Sequence, residues 1–219
     1  MALIGLIGAG QIGGTLTRRL TALGHEVKVA NSRAPETLAG LAAETGAKAV
    51  WAAEAAQDAD LVIISIPQGK VLDLAPGIVA GAKPGAPVIE TNNYYPKERD
   101  GHIATIESGT PESVWVAEQI GASVYKVFNG IWWKHLLESG KPAGAGRIAL
   151  PVAGADGPGK AFVFQLVDAL GFDPVDGGTL AESWRQQPGT PVYGADLDAA
   201  GTVKALAEAS PERPPEFCF

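Results

Sequence analysis

The sequence predicts an α/β protein with a doubly wound, mainly parallel sheet of about eight strands and a small C-terminal extension. Three observations support this fold class. Short apolar segments alternate with helical segments along most of the 219 residues, the order that right-handed βαβ crossovers produce. Residues 2–7 form an unbroken apolar run, as in a parallel strand that is buried on both faces. A glycine-rich turn follows this run and opens a segment with helical periodicity.

The glycine-rich turn is a G-x-G-x-x-G pattern between a strand and a helix. Gly8 permits the tight turn, Gly10 leaves room for a pyrophosphate, and Gly13 lets the helix pack close to the strand. The start of the helix offers free N–H groups and a positive dipole end to phosphates. The pattern favours a dinucleotide site in a Rossmann-type sheet over a glycine-rich turn without a ligand. The residues expected to bind the dinucleotide here are Gly8, Ala9, Gly10, Gln11, Ile12 and Gly13.

The next elements continue the alternation. Gly24 ends the first helix, and the second strand, Glu26–Ala30, follows it. Pro35 suits the first turn of the next helix, because an N–H at that position would have no hydrogen-bond partner within the helix and proline has none to leave unpaired. Residues 61–66 are apolar on both faces, as expected of a central parallel strand. The other strands of this half are expected at 47–50 and 86–90, with helices over 35–45 and 70–79.

The second half keeps the same alternation, so we expect its strands to extend one continuous sheet. Helices are expected over 111–120, 131–138, 160–170 and 196–209, and strands at 123–128, 147–153 and 172–176. The long loops 94–110 and 139–146 are either lids over a site or solvated connections. We divide the chain into a nucleotide-binding domain with its α/β extension, 1–185, and a proline-marked tail, 186–219. Aromatic residues of the tail, such as Tyr193, suit packing on a second copy in a homodimer or on their own domain.

Composition excludes several classes of partner. The net charge of −7 argues against binding to nucleic acid or to an anionic membrane surface, since both need clustered Lys and Arg. There is no basic leader and no apolar run of bilayer length, so we expect a cytoplasmic protein. The single cysteine, Cys218, is expected to be a spare thiol. It permits neither an intrachain disulfide nor a thiolate metal site, and we expect no metal.

Small polar residues end several of the apolar strands. In a doubly wound sheet, ligands bind beyond the carboxyl ends of the strands, where the strand order reverses. Hydroxyl and amide groups at these ends suit a ribose and a carboxamide, although the same residue types also cap the helices that follow strands. Taken as a set they favour a binding site. We expect Ser65, Ile66, Pro67, Thr91, Asn92 and Asn93 to bind the cofactor, and Asn129, Gly130 and Trp132 to bind the substrate.

The end of the second strand indicates which dinucleotide binds. A site selective for NAD usually has Asp or Glu here for the ribose 2′-OH, whereas this chain has Asn31, Ser32 and Arg33. Arg33 can form charge-assisted hydrogen bonds to a 2′-phosphate, with Asn31 and Ser32 as neutral donors. An exposed ion pair between Arg33 and Glu36 is the alternative. We therefore expect NADP(H).

At these positions the sequence resembles the coenzyme F420-dependent NADP oxidoreductases. The resemblance is carried by residues 5–13, by Asn-Ser-Arg at 31–33, by Ser-Ile-Pro at 65–67 and by Asp-Gly-Gly-Thr-Leu-Ala-Glu-Ser-Trp-Arg at 176–185. It implies a compact Rossmann domain with a small C-terminal extension that binds NADPH, and a hydride that passes directly between the nicotinamide and a deazaflavin, coenzyme F420. Our first hypothesis is therefore a small NADPH-dependent oxidoreductase with a deazaflavin or a flavin-like acceptor. The resemblance also implies that the acceptor lies against 65–68, 91–93 and 128–132. Positioning and exclusion of water dominate such a transfer.

Two other functions remain open. One is a reductase of a small imine or carbonyl substrate, although such relatives usually add an all-helical domain for which 219 residues leave little length. The other is an NADPH-binding sensor or interaction protein without turnover, because hydride transfer by proximity leaves no catalytic triad that would identify an enzyme.

Three ionisable residues are candidates for proton transfer. Lys126 lies within a strand, where an inward Lys is costly without a partner or ligand. His135 follows Trp132 by three positions and therefore shares its helical face. His102 lies in the long loop and can close over the site. A structural or solvated role is the alternative for all three. Of the adjacent Trp132 and Trp133, at least one is expected in the core.

Overall fold

The computed structural model describes residues 1–219. Eight strands and eight α-helices alternate along most of the chain. The strands are β1 (Leu3–Ile7), β2 (Glu26–Ala30), β3 (Lys48–Ala49), β4 (Leu61–Ile64), β5 (Val88–Glu90), β6 (Tyr125–Lys126), β7 (Ala149–Val152) and β8 (Asp173–Asp176). The helices are α1 (Gln11–Ala22), α2 (Ala39–Thr45), α3 (Ala52–Ala55), α4 (Ala104–Glu107), α5 (Glu112–Ile120), α6 (Trp133–Glu138), α7 (Pro158–Ala169) and α8 (Ala199–Glu208). None of these helices has the length and apolar composition needed to cross a bilayer.

The main sheet has six parallel strands in the order β3-β2-β1-β4-β5-β6. The chain moves outward from β1 in one direction and then from β4 in the other, so the strand order reverses between β1 and β4. This confirms the predicted doubly wound, mainly parallel fold. Ligands of such sheets bind at this reversal, beyond the carboxyl ends of the strands.

Two apolar layers cover the faces of the main sheet. One contains Leu16 and Leu20 of α1 against Ile4 and Leu6 of β1, and all four side chains are fully buried. The other packs α3 and α5 on the opposite face of the central strands. The strands β1 and β4 are therefore apolar on both faces, and this explains why their sequences are unbroken apolar runs.

The predicted continuous sheet of about eight strands is wrong in its last two strands. Strands β7 and β8 pair with each other in a separate parallel sheet. Only an isolated antiparallel bridge, between Lys126 and Ala153, joins β6 to the end of β7. The side chain of Gln186 fills the gap, because its Nε2 donates to the carbonyls of Lys126 and Pro151, both at 3.2 Å. Pro151 also lacks the backbone N–H that a hydrogen-bonded ladder between β7 and β6 would need.

Several local elements differ from prediction, and two of these differences have a clear physical reason. The helix expected over 70–79 is a short 3₁₀ helix, Gln68–Asp73, because Pro76 disfavours helical geometry at the residue before it and lacks an N–H. The loop expected over 94–110 contains a π-helical turn, Pro96–Asp100, and helix α4. Hydrogen bonds to Asp100 hold that turn, since its carboxylate accepts from Tyr95 N at 2.8 Å and from Gly69 N at 3.0 Å.

The C-terminal tail folds back on its own chain. Phe217 packs against the ring of Tyr95 with the centroids 6.1 Å apart, and the Arg213 guanidinium bonds to the Glu112 carboxylate. The N–H of Gly194 donates to Gly130 O at 2.9 Å. The tail therefore packs aromatic residues on its own chain, which is one of the two arrangements that the sequence left open.

Candidate functional site

The turn after β1 has the geometry that a dinucleotide requires. Gly8 has a φ of +108°, and a Cβ there would lie 2.0 Å from Ser65 O. A Cβ on Gly13 would lie 1.8 Å from Gly8 O, so the helix touches the turn at this point. A Cβ on Gly10 would have no atom within 4 Å. Helix α1 has no side-chain cap and no acidic residue in its first turn, so its start is open to an anion.

A cleft of about 530 Å³ lies at the reversal point of the sheet. It brings together the predicted cofactor residues after β1, β4 and β5 with the predicted substrate residues after β6. Of the predicted residues, it is lined by Gly10, Gln11, Ile12, Ser65, Ile66, Pro67, Thr91, Asn92, Asn93, Asn129, Gly130 and Trp132. Gly8, Ala9, Gly13 and Asn31, Ser32, Arg33 do not line it. The first three form the turn behind it, and the last three follow β2.

Hydrogen bonds between neighbouring strand ends fix the polar floor of the cleft. Thr91 Oγ1 donates to Ser65 Oγ at 2.9 Å, and Ile66 N donates to Asn92 Oδ1 at 3.2 Å. Asn92 is only 2% exposed, and its Nδ2 has no partner. A buried amide without a partner is costly, so a ligand carbonyl at the cleft would satisfy it. This orphaned donor and the open space at Gly10 both fit a bound dinucleotide.

The side chain of Asn129 is held by hydrogen bonds within the protein and is not a free ligand-binding group. Its Nδ2 donates to Asn93 Oδ1 at 3.1 Å and to Gln186 O at 2.7 Å, and its Oδ1 accepts from Gln186 Nε2 at 3.1 Å. The preceding Phe128 is buried with a φ of +64°. This left-handed conformation is strained for a bulky residue, by about 1–3 kcal/mol, and such strain is found at binding sites. The strained turn directs Asn129 and Gly130 to the cleft.

The loop after β2 has a free guanidinium. The Asn31 side chain shapes the loop, because its Oδ1 accepts from Arg33 N at 2.8 Å and its Nδ2 donates to Thr37 Oγ1 at 3.0 Å. Ser32 and Arg33 are exposed. The ion pairs of the chain do not include Arg33, so the alternative pairing with Glu36 does not occur. The charge of Arg33 is therefore available to a phosphate.

Lys126 does not reach the cleft. It is fully buried beneath the floor, where its Nζ donates to Glu90 Oε1 at 3.2 Å and to Asn92 O at 2.9 Å. Glu90 Oε2 in turn accepts from Asn92 N at 2.7 Å. The buried pair thus holds the backbone of Asn92 from both sides. Glu90 provides the partner that a buried Lys needs, and Lys126 acts on the site through Asn92.

A second carboxylate, Glu112, extends this buried network to the tail. Glu112 Oε2 lies 3.7 Å from Lys126 Nζ, and the Glu112 carboxylate also bonds to Arg213. The side chain is fully buried. Desolvation by burial raises the pKa of Glu112 to about 7, against the opposing pull of Lys126 and Arg213. The network therefore contains one carboxyl group that titrates near neutral pH.

Two aromatic rings lie at the start of helix α6, beside the cleft. Trp132 is 51% exposed, and Trp133 is partly buried and also lines the cleft. The expectation that one of them belongs to the core is wrong, because α6 begins at the rim of the cleft. His135 stacks edge-on to Trp132 at 4.9 Å and its Nδ1 lies 2.5 Å from Asp196 Oδ2, outside the cleft. His102 packs on Phe219 of the tail and does not line the cleft.

The other wall of the cleft carries three polar groups that the sequence did not single out as a site. These are Tyr95, Arg99 and Tyr193, and we call this side of the cleft the Tyr95 wall. The two phenol oxygens share a hydrogen bond, and the Arg99 guanidinium lies 5.1 Å from the centre of the Tyr95 ring. Tyr193 comes from the tail, 98 residues from Tyr95 in sequence. No local pattern brings these residues together.

With this geometry, comparison with known proteins decides the family. The family profile described as "NADP oxidoreductase coenzyme F420-dependent" matches residues 3–94. A hypothetical protein of Sinorhizobium meliloti, SMa0349, superposes with a TM-score of 0.75 at 32% identity, over 90% of this chain and 95% of that one. Residues 3–94 of this chain therefore belong to the coenzyme F420-dependent NADP oxidoreductase family. A protein of Arthrobacter sp. FB24, whose crystal structure is described as a proposed F420-dependent NADP reductase, shares the fold, with a TM-score of 0.65 at 21% identity over 84% of this chain and 87% of that one.

Matches to curated proteins are shorter. The Escherichia coli K12 protein YjhV is 48% identical over 61 residues, which are 28% of this chain and 44% of that protein. The 3-sulfolactaldehyde reductase of the same strain is 31% identical over 112 residues, 49% of this chain and 37% of that enzyme. The chain therefore spans less than half of the curated relatives it matches. The family is one of NADP-dependent oxidoreductases, and this agrees with the predicted class.

Sequence reasoning missed Glu90, Glu112 and Arg213 as well as the Tyr95 wall. For the pair Glu90 and Lys126, the sequence contained part of the signal. Glu90 and Lys126 each interrupt an apolar strand, and the two strands are neighbours in the sheet with these residues in register. Opposite charges at matching positions of adjacent buried strands indicate a buried ion pair.

Proposed function

We propose that the protein is an NADPH-dependent oxidoreductase that transfers a hydride between NADP(H) and a deazaflavin (coenzyme F420) or flavin-like acceptor. The observation that carries this proposal is the cleft at the reversal point, which joins the open start of α1 to strand ends rich in hydroxyl and amide groups. The family membership supports the same reaction class. NADPH, when bound, supplies the hydride.

The residues of this chain have distinct tasks in the proposal. Residues 8–13 would hold the pyrophosphate, and Asn31, Ser32 and Arg33 the 2′-phosphate. Ser65, Ile66, Pro67, Thr91, Asn92 and Asn93 would hold the nicotinamide half, while Asn129, Gly130 and Trp132 would border the acceptor. These groups bind and orient two rings and keep water from the space between them. Positioning of this kind can account for most of the rate of a direct hydride transfer.

The test is a titration followed by an acceptor screen. NADPH and NADH are titrated by quenching of tryptophan fluorescence, since Trp132 and Trp133 line the cleft. Coenzyme F420, FMN and riboflavin are then added and the nicotinamide absorbance is followed. NADPH binding with rapid oxidation by one acceptor supports the proposal and names the acceptor class. NADPH binding without turnover by any acceptor favours a sensor, and absence of binding contradicts the site.

Cofactor choice is tested at Arg33. Charge-assisted hydrogen bonds contribute about 1.5–3 kcal/mol each, which corresponds to roughly a tenfold to hundredfold loss of affinity when they are removed. Arg33→Ala should weaken NADPH binding by such a factor and leave NADH binding unchanged. The matched control is Glu36→Ala, which removes a nearby charge of opposite sign that has no ion-pair partner. An unchanged NADPH/NADH preference in Arg33→Ala would contradict the assignment.

A further inference from the structure

The Tyr95 wall of the cleft is not used by the proposed dinucleotide site. Its phenols, Tyr95 and Tyr193, are both partly buried and both line the cleft. Each is held firmly. Tyr95 N donates to the buried Asp100 carboxylate at 2.8 Å, and the Tyr95 ring is covered by Arg99. Tyr193 N donates to Thr190 O at 3.0 Å, and the adjacent Gly194 is bonded to Gly130. The pair therefore has a fixed position beside the residues proposed to border the acceptor.

The hydrogen-bond inventory of the pair leaves one proton unused. Two phenols have two O–H donors, and the single bond between Tyr95 and Tyr193 uses one of them. Neither hydroxyl bonds to any other group of the chain. One O–H is therefore available in the cleft to an oxygen or nitrogen of a ligand.

The surroundings of Tyr193 favour its protonated form. Burial, and then the hydrogen bond to Tyr95, raise the pKa of Tyr193 above its ordinary value. The Tyr193 phenol thus stays protonated at neutral pH. Arg99 also offers Nη1, since its Nε and Nη2 bond to Asp100 and Asn93 O while Nη1 has no partner. A neutral acid next to a guanidinium suits a group that becomes negative during reaction.

We propose that the Tyr95–Tyr193 pair donates a proton to the acceptor, which therefore carries a polarised C=O or C=N bond. This inference rests on the proposed function. The acceptor carbon takes a hydride from NADPH, the π electron pair moves to the oxygen or nitrogen, and that atom takes the free phenol proton. The products are NADP⁺, the reduced acceptor with new C–H and O–H or N–H bonds, and a phenolate. The remaining O–H of the pair stabilises the phenolate until water returns the proton.

The energetics favour this direction of proton transfer. An alkoxide or an amide anion is more basic than a phenolate, so the proton moves to the acceptor even from a phenol with a raised pKa. A positioned general acid typically contributes a factor of about 10²–10⁴ to the rate. Both tyrosines matter, because the loss of either hydroxyl removes the donor or the group that stabilises the phenolate.

The test compares Tyr193→Phe and Tyr95→Phe with the wild type and with Tyr125→Phe. Tyr125 is a buried tyrosine in β6 whose hydroxyl is outside the cleft, so Tyr125→Phe controls for loss of a phenol. NADPH affinity is measured by fluorescence quenching. NADPH oxidation is then followed with methylglyoxal as a carbonyl probe, 3,4-dihydroisoquinoline as a C=N probe, and coenzyme F420, with kcat and the solvent deuterium isotope effect determined for every acceptor that is reduced.

The outcomes separate the inference from the function on which it rests. We expect both cleft variants to keep NADPH affinity within about twofold and to lose kcat at least tenfold, with a solvent isotope effect in the wild type. Tyr125→Phe should keep the wild-type kcat. A kcat within twofold of wild type in Tyr193→Phe and Tyr95→Phe overturns the inference but leaves the hydride-transfer function standing. NADPH binding with no probe reduced contradicts both the inference and the proposed turnover, and failure to bind NADPH contradicts the dinucleotide site itself.

Discussion

At the residue scale, two glycines of the same turn should fail in different ways when given a side chain. A Cβ on Gly13 would lie 1.8 Å from Gly8 O, whereas Gly10 has open space and a φ of −72°, which alanine adopts readily. We expect Gly13→Ala to destabilise the fold by about 1–3 kcal/mol or more. Gly10→Ala should leave unfolding unchanged within about 1 kcal/mol but weaken NADPH binding at least tenfold, because the methyl group occupies the approach to the pyrophosphate.

The comparison needs a glycine that neither packs nor binds. Gly40 lies in α2 with open space around its Cα, so Gly40→Ala should preserve NADPH affinity and stabilise the helix by about 0.5–1 kcal/mol. Thermal unfolding and fluorescence titration of the three variants are sufficient. If Gly10→Ala bound NADPH as tightly as Gly40→Ala, the pyrophosphate would not approach this turn.

At the element scale, β5 and β6 are joined by a charge pair that apolar strands rarely contain. Removing Lys126 leaves the Glu90 carboxylate buried without its cation, and breaking such a pair costs about 3–5 kcal/mol. Lys126→Met should therefore lower the free energy of unfolding by that amount in denaturant titrations. Glu90→Gln combined with Lys126→Met should recover part of the loss, since no uncompensated charge remains. A single variant as stable as the wild type would show that the pair is not a buried ion pair.

The same network should make stability depend on pH. The pKa of Glu112 is about 7 in the folded chain against 4.5 as its ordinary value, so the folded state binds more protons between these values. The contribution of Glu112 to stability is therefore fully present below about pH 4.5 and is lost as pH rises towards 7. The Glu112→Gln side chain cannot titrate. The melting temperature of Glu112→Gln minus that of the wild type should therefore increase between pH 5 and pH 8. A constant difference would mean that Glu112 stays ionised throughout.

The elements of the first half were predictable because local sequence determines them. The run at β1, the alternation that follows and the glycine turn need only apolar patterning and turn chemistry. The error at 70–79 was also local, since Pro76 was already visible in the sequence. The separation of β7 from β6 was not predictable in this way. It depends on the side chain of Gln186, which is 60 residues from Lys126 and 35 residues from Pro151 in sequence and occupies the gap between them.

The residues of the candidate site also divide into those that local sequence places and those that depend on contacts between distant segments. The strand-end residues could be placed together because parallel strands end at one edge of a sheet. The Tyr95 and Tyr193 phenols could not, because their contact depends on the path of the tail. The role of Lys126 was also beyond local reasoning, since only the register of β5 and β6 shows that its partner is Glu90.

At the scale of the whole molecule, the cleft is assembled from distant parts of the chain. The first turn, the ends of β4 and β5, the segment after β6 and the tail at Tyr193 and Gly194 all border it. None of these segments forms the cleft alone, so the unfolded chain has no such site. A dinucleotide that binds here binds the folded state only, and it should stabilise every segment together by mass action.

This gives a prediction for thermal unfolding. At a free NADPH concentration of about 100 times Kd, the gain in stability is about 2.7 kcal/mol. For a chain of this size that corresponds to a rise in melting temperature of roughly 5–11 °C, measured by differential scanning fluorimetry. NADH at the same concentration should give a smaller rise, because it lacks the phosphate that Arg33 is proposed to bind. In Arg33→Ala the difference between the two shifts should become smaller. Equal shifts already in the wild type would show that the loop after β2 does not select the cofactor, and the 2′-phosphate would then have to be bound elsewhere or not at all.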